Sequence, residues 1–301
     1  MIANVSAAEN FVGLSLSSVR RSLRAQLAEA GIKDPDYESR LMVQMALGID
    51  AAGYVLQENR KLSDEEAHHL EKIVGRRLSY EPLSRIEGLR RFYGRKFFIN
   101  SSVLDPRPET EILIDVVLEI SKSYGEKKWP RSILDVGTGS GCLLITLLAT
   151  FPFARGVGTD VSSSALEIAR INARHQNVEE RVSFEQGPAL QGIKETFDLL
   201  ISNPPYIRSG QLPNLEPEVR NFDPHSALDG GEDGLDVYRQ IASQLTQVVP
   251  SGWAVFEFGF DQALAVADLL QKQLKGRIQS LFIRDDLSGL ARCVAVQTHN
   301  S

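Results

Sequence analysis

The sequence predicts an α/β protein in which a mostly parallel sheet carries helices on both faces and follows a small N-terminal helical domain. From Pro106 onward, apolar strand patterns, glycine turns and helical patterns alternate, which is typical of a parallel sheet joined by helices. Before that point, apolar residues recur mainly at the spacing of helices. The chain has 301 residues, of which 43% are hydrophobic, so two domains with sizeable cores are expected and an intrinsically disordered chain is excluded.

Residues 1–88 are predicted to form the helical domain. Ser17 is placed to cap a first helix that carries a stripe of apolar residues. Pro35 follows an aspartate and predicts the start of a second helix, because proline fits the first helical turn. Ser63 and Glu66 have the spacing of a capping box at the start of a third. Packing alone explains most residues of these helices.

Residues 89–105 are predicted to form a hairpin linker, because apolar and polar residues alternate around Gly94. Residues 106–301 then form the α/β domain. Its predicted strands are Ser132–Val136, Arg155–Thr159, Val182–Glu185, Phe197–Ser202 and Trp253–Phe258, and two of its predicted helices are Cys142–Ala149 and Ser164–Gln176.

The charge distribution bears on the class of partner. The net charge is −6; residues 1–100 carry 15 Lys and Arg against 13 Asp and Glu, and residues 101–301 carry 18 against 26. Neither part has the strongly basic field that non-specific phosphate binding needs, so a protein or small-molecule partner is expected rather than nucleic acid. Two cysteines in apolar runs, no signal peptide and no apolar run of membrane-spanning length predict a cytoplasmic protein without a membrane span.

The segment ILDVGTGSGC predicts a nucleoside-binding turn. A buried strand leads into Gly137, Gly139 and Gly141, and a helix follows directly. Glycines at alternate positions let the backbone turn sharply and come close to a ligand. Because Cys142 stands where a dinucleotide fingerprint has its third glycine, the loop fits the amino-acid end of a nucleoside better than a pyrophosphate. Asp135 in the strand either helps to hold the loop or the cofactor's ammonium group, or is only structural.

Asp160 ends the next predicted strand, beside the glycine loop. A carboxylate at this edge of the sheet can accept hydrogen bonds from both hydroxyls of a ribose. The alternative is that Asp160 only caps the helix that starts near Ser162. The glycine loop in front of it favours nucleoside binding.

The segment FDLLISNPPYI predicts the reacting site. An apolar strand ends in Asn203, Pro204, Pro205 and Tyr206. The two prolines fix the backbone and lack N–H groups, which leaves nearby carbonyls free to accept from a ligand. The Asn203 side chain and the Pro204 carbonyl can together hold both N–H groups of a planar NH2, with Tyr206 offering a flat face. If this nitrogen is the nucleophile, the product nitrogen is cationic and loses a proton easily to water, so a general base is dispensable. The alternative is a rigid turn without chemistry.

These motifs together resemble those of the HemK/PrmC-type methyltransferases, which methylate the glutamine of the Gly-Gly-Gln motif in peptide-chain release factors. The resemblance covers roughly residues 80–300. Besides the segments above, it rests on EPLSRIEGLRRFYG, DPRPETE, EPEV, ALDGGEDGLDVYR and DLSGLARCV. Asn-Pro-Pro-Tyr by itself is shared with adenine-N6 DNA methyltransferases, whereas the combination is much narrower.

The resemblance implies a class I, Rossmann-like S-adenosylmethionine-dependent methyltransferase fold with a reversed final strand hairpin. It implies a helical domain that helps to hold the release factor. The residues implied to contact S-adenosylmethionine are Gly137, Thr138, Gly139, Ser140, Gly141, Asp160 and Asn203. Those implied to hold the substrate glutamine are Asn203, Pro204, Pro205 and Tyr206. The segment 106–111 is implied to border the cofactor pocket, with Glu109 and Glu111 structural.

Three positions leave alternatives open. Pro188 stands where relatives usually have an aspartate near the adenine, so a neighbouring side chain or backbone group is needed to take over that contact. Glu257 matches an acidic position in relatives and is either a cofactor or substrate contact or a group that only satisfies nearby backbone. The carboxylates of ALDGGEDGL are either a cation site or part of a structured loop; the resemblance favours the loop, and no metal is expected.

Two rival functions remain at this point. An adenine-N6 or other nucleic-acid methyltransferase needs a base-flipping pocket and a phosphate-binding face, which the net negative charge of the catalytic part disfavours. A non-catalytic binding protein that has lost cofactor affinity is supported only by Pro188. We expect a monomer.

Overall fold

The computed structural model describes residues 11–125 and 129–300, and its contacts divide the chain into two compact units, Met1–Gly88 and Leu89–Ser301. The first unit is helical. Its helices are α1 (Leu16–Glu29), α2 (Pro35–Leu47), α3 (Ala51–Leu56), α4 (Asp64–Leu78) and α5 (Leu83–Glu87). Their apolar faces enclose one cluster of buried side chains.

Capping residues mark several of the helix starts in this unit, with one correction to the prediction. Helix α2 begins at Pro35 as predicted, and the capping box of Ser63 and Glu66 at α4 is confirmed. The prediction that Ser17 caps α1 is wrong. Ser15 has the extended backbone of a cap and accepts from the Ser18 N–H at 3.3 Å, so Ser17 lies inside the first turn.

The second unit begins with a hairpin of β1 (Leu89–Phe92) and β2 (Arg95–Phe98). Its other strands are β3 (Ser132–Val136), β4 (Arg155–Asp160), β5 (Val182–Gln186), β6 (Leu199–Ser202), β7 (Gly252–Glu257), β8 (Ile278–Asp285) and β9 (Ala291–Thr298). Its helices are α6 (Glu111–Lys122), α7 (Cys142–Thr150), α8 (Ser163–His175), α9 (Pro217–Phe222), α10 (Asp236–Val248) and α11 (Ala263–Gln273). The strand predicted from Phe197 starts at Leu199, because the Phe197 N–H bonds to the end of α10 instead.

The seven strands β3–β9 form one sheet in the order β5-β4-β3-β6-β7-β9-β8. Strands β3 to β7 pair in parallel, whereas β9 runs antiparallel to both β7 and β8. This is the predicted α/β sheet with a reversed final hairpin. Within the described residues, no helix is both long and apolar enough to cross a membrane.

The sheet has an apolar layer on each face, as successive side chains of a strand point to opposite sides. In β3, Ile133 joins the cluster with α6 and α7, while Leu134 joins the cluster with α10 and α11. Strands β3, β6 and β7 are therefore buried on both faces, which explains their continuous apolar sequences.

The strand order positions the site. Strand β3 leads through α7 to β4 on one side, while β6 lies on its other side. In open α/β sheets, the crevice beyond the carboxyl ends of two such strands is where ligands bind. The glycine loop follows β3 and the Asn-Pro-Pro-Tyr segment follows β6, so both motifs border this crevice.

Candidate active site

The glycine loop is shaped by backbone conformations that favour glycine. Gly137, Gly139 and Gly141 have φ angles of 72°, 55° and 79°, in the left-handed region. At Gly141 a Cβ would also lie 2.7 Å from Ile145 Cδ1, so a side chain there would require Ile145 to shift. The Gly137 N–H donates to the Thr159 carbonyl at 2.9 Å, which anchors the loop to β4.

Asp160, at the end of β4, holds the loop from the neighbouring strand. Its Oδ2 accepts from the Gly139 N–H at 2.9 Å, and its Oδ1 accepts from the Ser162 N–H at 2.9 Å. Burial raises the pKa of this carboxyl group, against the backbone donors that stabilise its charge. Each carboxylate oxygen can accept a further hydrogen bond. Asp160 therefore braces the loop and keeps acceptor capacity where it lines the cavity.

Asp135 lies under the loop and supports it. The Thr138 hydroxyl donates to its Oδ2 at 2.7 Å, and the side chain of Asp135 is buried. Burial raises its pKa to about 7. Asp135 does not line the cavity, which favours its structural interpretation over a direct cofactor contact.

Asn203 follows β6 and has one end of its carboxamide fixed. Its Nδ2 donates to the Thr110 hydroxyl at 3.2 Å. In the described part of the chain, no donor reaches Asn203 Oδ1 or the Pro204 carbonyl oxygen. Ser202 just before them donates its hydroxyl to the Val136 carbonyl at 2.7 Å, which ties the ends of β6 and β3 together. Two acceptors are thus left at the carboxyl edge of the sheet.

Tyr206 is held on both its backbone and its ring. Its carbonyl accepts from Gln262 Nε2 at 2.9 Å, and its hydroxyl donates to Glu257 Oε1 at 3.3 Å. Burial raises the pKa of Tyr206, and the nearby Glu257 carboxylate adds to that. Glu257 is itself buried, and burial raises its pKa to about 7. Glu257 thus touches the Asn-Pro-Pro-Tyr segment rather than the cavity.

The motifs surround an open cavity whose empty space, with the open solvent at its mouth included, is about 1070 Å³. Of the residues predicted for the site, those that line it are Gly137, Thr138, Gly139, Ser140, Asp160, Asn203, Pro204 and Pro205. Gly141 and Tyr206 do not line it: Gly141 starts α7, and Tyr206 packs against the apolar cluster under α10 and α11.

Several lining residues were missed by sequence reasoning. They are Ser102, Val103 and Leu104 on one wall, and Pro224, Ser226, Ala227, Val237 and Gln240 on another. Pro106 and Thr110 also line the cavity, and both belong to the segment 106–111 that was expected to border it. Glu111 accepts from the Tyr93 N–H at 2.7 Å and so has the expected structural contact.

Pro188 stands at the position where an aspartate was expected, in a turn that backbone groups hold in place. Gly187, Pro188 and Ala189 all line the cavity. The Gly187 N–H donates to the Asp160 carbonyl at 3.0 Å, and the Ala189 carbonyl accepts from the Thr159 hydroxyl at 3.3 Å. The turn is thus held against β4 without a carboxylate.

The segment ALDGGEDGL packs against the Asn-Pro-Pro-Tyr backbone. A Cβ on Gly230 would lie 2.7 Å from the Pro205 carbonyl oxygen, and one on Gly234 would lie 2.3 Å from the Tyr206 carbonyl oxygen. Asp229 accepts from the Ser209 hydroxyl at 2.6 Å, which lowers its pKa. Among the residues that the structure describes, no group of acidic, His or Cys side chains has the arrangement of a metal site. The carboxylates belong to a structured loop.

The cavity fits an S-adenosyl nucleoside on its own geometry. The glycine loop provides a cradle without side chains at one end, and Asp160 presents carboxylate oxygens beside it. The walls are largely apolar, with few polar groups, as is usual for small-molecule sites. Asn203 and Pro204, which carry the two free acceptors, line the same cavity.

Comparison with known proteins agrees with this geometry. Residues 18–88 match the PrmC N-terminal domain and residues 130–248 match a methyltransferase domain. A release factor glutamine methyltransferase of Bradyrhizobium diazoefficiens is 39% identical over 288 residues, covering 95% of this chain and 96% of that protein. One from Rhodospirillum rubrum is 42% identical over 270 residues, covering 89% and 81%. The catalytic domain of hMettl16, solved with MAT2A 3′UTR hairpin 6, has a TM-score of 0.55 at 15% identity, covering 76% of this chain and 83% of that one, and shares the fold.

Proposed function

The chain belongs to the release factor glutamine methyltransferases, and on that premise we propose that it methylates the side-chain amide of the Gly-Gly-Gln glutamine in a release factor. The methyl donor is S-adenosylmethionine. The observation that carries this proposal is the pair of acceptors at Asn203 Oδ1 and the Pro204 carbonyl, on the same cavity as the glycine loop and Asp160. A planar amide NH2 has two N–H groups, and each acceptor takes one.

The residues proposed to hold the cofactor are Gly137, Thr138, Gly139 and Ser140, with Asp160 at the ribose. When bound, S-adenosylmethionine supplies an electrophilic methyl carbon attached to a positively charged sulfur. Gly141 supports this loop from the start of α7, and Asn203, which lines the same cavity, is proposed to contact the cofactor as well as the substrate.

The contribution of the protein to the reaction is orientation. An amide nitrogen is a poor nucleophile because its lone pair is delocalised into the carbonyl. Holding both N–H groups turns the face of the nitrogen toward the glycine loop, and positioning of this kind can lower a barrier by up to about 7–11 kcal/mol. The methylated nitrogen then gives its proton to water, so no general base is needed. Pro205 makes the backbone rigid, and Tyr206 fixes the far end of the segment through Glu257 and Gln262.

We propose that both units take part in recognising the release factor, and that each does so with its own surface. Residues 18–88 match the domain that characterises these enzymes, and we propose that the helical unit 1–88 binds the substrate protein. The hairpin at 89–105 is proposed as the linker, and residues 106–301 as the catalytic domain. The protein is proposed to act as a cytoplasmic monomer without nucleic acid, consistent with the net negative charge of residues 101–301.

One incubation tests the substrate. Purified protein is mixed with methyl-labelled S-adenosylmethionine, a release factor and double-stranded DNA, and the label is located by mass spectrometry. We expect label only on the Gly-Gly-Gln glutamine, and none when that glutamine is replaced by asparagine. Label only in DNA would establish the nucleic-acid alternative, and no label in either would support the non-catalytic one.

A further inference from the structure

One polar side chain on the cavity wall has no role in the proposed function so far. Gln240, in the second turn of α10, lines the same cavity as Asp160 and Asn203. Its side chain is exposed, and its backbone carbonyl accepts from the Ser243 hydroxyl at 2.8 Å. Among the described residues, no hydrogen bond involves its carboxamide. Both the oxygen and the nitrogen of this group are therefore available to a ligand.

The base of the cofactor is expected at the β5 side of the cavity. The glycine loop after β3 is assigned to the amino-acid part of the cofactor, and Asp160 at the end of β4 to the ribose. Because the strand order is β5-β4-β3, a nucleoside laid across these strands has its base beyond β4, against the turn after β5. That turn, residues 187–189, lines the cavity together with Val161, whose side chain is 53% exposed.

The turn at 187–189 offers the base an apolar surface, but its carbonyls at Pro188 and Ala189 are already engaged. Pro188 has no N–H group, and its carbonyl accepts from the Gln191 N–H at 3.0 Å. The Ala189 carbonyl accepts from the Thr159 hydroxyl at 3.3 Å. An exocyclic amine is recognised by an acceptor, so a side chain from another wall has to supply one.

Helix α10 forms the wall that meets this turn. Ala189 in the turn and Val237 in α10 both line the cavity, and both pack against the apolar cluster shared with α10 and α11. Residues three positions apart lie on one face of a helix, so Gln240 follows Val237 on the face toward the cavity. The free carboxamide of Gln240 thus belongs to the wall beside the expected base.

We propose that Gln240 is a specificity-determining residue that reads the adenine base of S-adenosylmethionine. This inference rests on the proposed function and concerns the cofactor part of the same cavity. A glutamine carboxamide accepts through Oε1 and donates through Nε2, which complements the exocyclic amine of adenine and the ring nitrogen beside it. Gln240 thereby supplies the polar contact that Pro188 cannot give.

Binding of S-adenosylhomocysteine tests this contact without turnover. Calorimetry compares it with an analogue whose purine lacks only the exocyclic amine. The wild type should bind the analogue about three- to tenfold more weakly, as expected for one neutral hydrogen bond. Gln240→Leu should bind S-adenosylhomocysteine about five- to fiftyfold more weakly than the wild type, through loss of both hydrogen bonds. It should bind the two compounds equally, because the group that distinguishes them is gone.

Two further variants serve as controls. Gln247→Leu makes the same change two turns later in α10, at an exposed position outside the cavity, and should keep the wild-type affinities. Gln240→Glu keeps an acceptor and should still prefer S-adenosylhomocysteine to the analogue. In steady-state kinetics, Gln240→Leu should raise the KM for S-adenosylmethionine with little change in kcat, because Asn203 and Pro204 still orient the substrate amide.

The possible outcomes separate this inference from the proposed function. The role of Gln240 would be overturned by a wild type that binds both compounds equally, or by a Gln240→Leu variant that distinguishes them as strongly as the wild type. An unchanged affinity of Gln240→Leu for S-adenosylhomocysteine with a raised KM for the release factor would also overturn it, and would assign Gln240 to the substrate. A wild type that binds neither compound would instead overturn the proposed cofactor site.

Discussion

At the scale of single residues, the site separates into groups that hold the cofactor and groups that hold the substrate. Asp160 braces the glycine loop, with hydrogen bonds from Gly139 and Ser162. Among the described residues Asn203 forms no hydrogen bond with that loop, and its side-chain amide donates to Thr110 instead. Substitutions of Asp160 and Asn203 should therefore affect different measured quantities.

Asn203→Ala should lower kcat by about 10²–10³, as expected when one well-placed polar contact is lost. Cofactor affinity should stay nearly unchanged, because the glycine loop and Asp160 remain. Steady-state kinetics and calorimetry measure the two effects. Asn221→Ala, at an exposed position in α9, serves as the control. Equal losses of turnover and cofactor affinity would contradict the substrate role.

Asp160→Ala should mainly weaken cofactor binding. A hydrogen bond to a charged group contributes about 1.5–3 kcal/mol, so the Kd for S-adenosylmethionine should rise about 10- to 100-fold. Calorimetry measures this, with Asp268→Ala on the surface of α11 as control. An unaltered Kd would exclude a ribose contact.

At the scale of elements, the reacting segment depends on neighbours that carry no chemistry. The glycines of ALDGGEDGL allow that segment to lie against the carbonyls of Pro205 and Tyr206. The Arg107 guanidinium also forms an ion pair with the buried Asp223. This ion pair joins the segment that contains Thr110 to the segment after α9. The turn is rigid because these elements surround it.

Gly234→Ala should damage this arrangement. The φ of Gly234 is +79°, and the new Cβ would lie 2.3 Å from the Tyr206 carbonyl oxygen. We expect kcat to fall at least about tenfold, since small misplacements of positioned groups are costly, together with a lower thermal midpoint. Gly192→Ala is the matched control, because its φ is +88° and a Cβ there has open space. If Gly234→Ala and Gly192→Ala had similar kinetics, the effect on kcat would come from backbone strain alone and not from the contact with Tyr206.

At the scale of the whole molecule, two buried carboxyl groups near the crevice influence stability. Burial raises the pKa of Asp135 and of Glu257 to about 7, from ordinary values of 3.8 and 4.5. The folded protein therefore binds protons that the unfolded chain has released, and both groups lower the free energy of unfolding as the pH rises from about 4 to about 7. Above pH 7 their effect is constant.

Urea unfolding of the free enzyme between pH 5 and 8 measures this dependence. We expect the stability of Glu257→Gln relative to the wild type to increase with pH up to about 7 and then to level off. The exposed variant Glu119→Gln should not reproduce that trend, because the Arg284 contact lowers the pKa of Glu119 instead. A constant difference between Glu257→Gln and the wild type would mean that Glu257 is ionised throughout.

Much of the architecture and part of the site follow from the sequence, because they depend on local patterns. Strand β3 has the predicted bounds. The glycine loop and Asn203 stand directly after strands, and Asp160 ends one, and the carboxyl ends of these strands share one edge of the sheet. Periodicity and turn chemistry act over a few residues, so they can be recognised without knowledge of the fold.

Tertiary structure alone decided the contacts made across long separations. Thr110 meets Asn203 from 93 positions away, and Tyr206 meets Glu257 from 51. No local pattern marks these partners, and Tyr206 accordingly turned out to face a buried carboxyl group instead of the cavity. Side-chain orientation at the site is set by what packing brings together, and the order of residues along the chain does not contain that information locally.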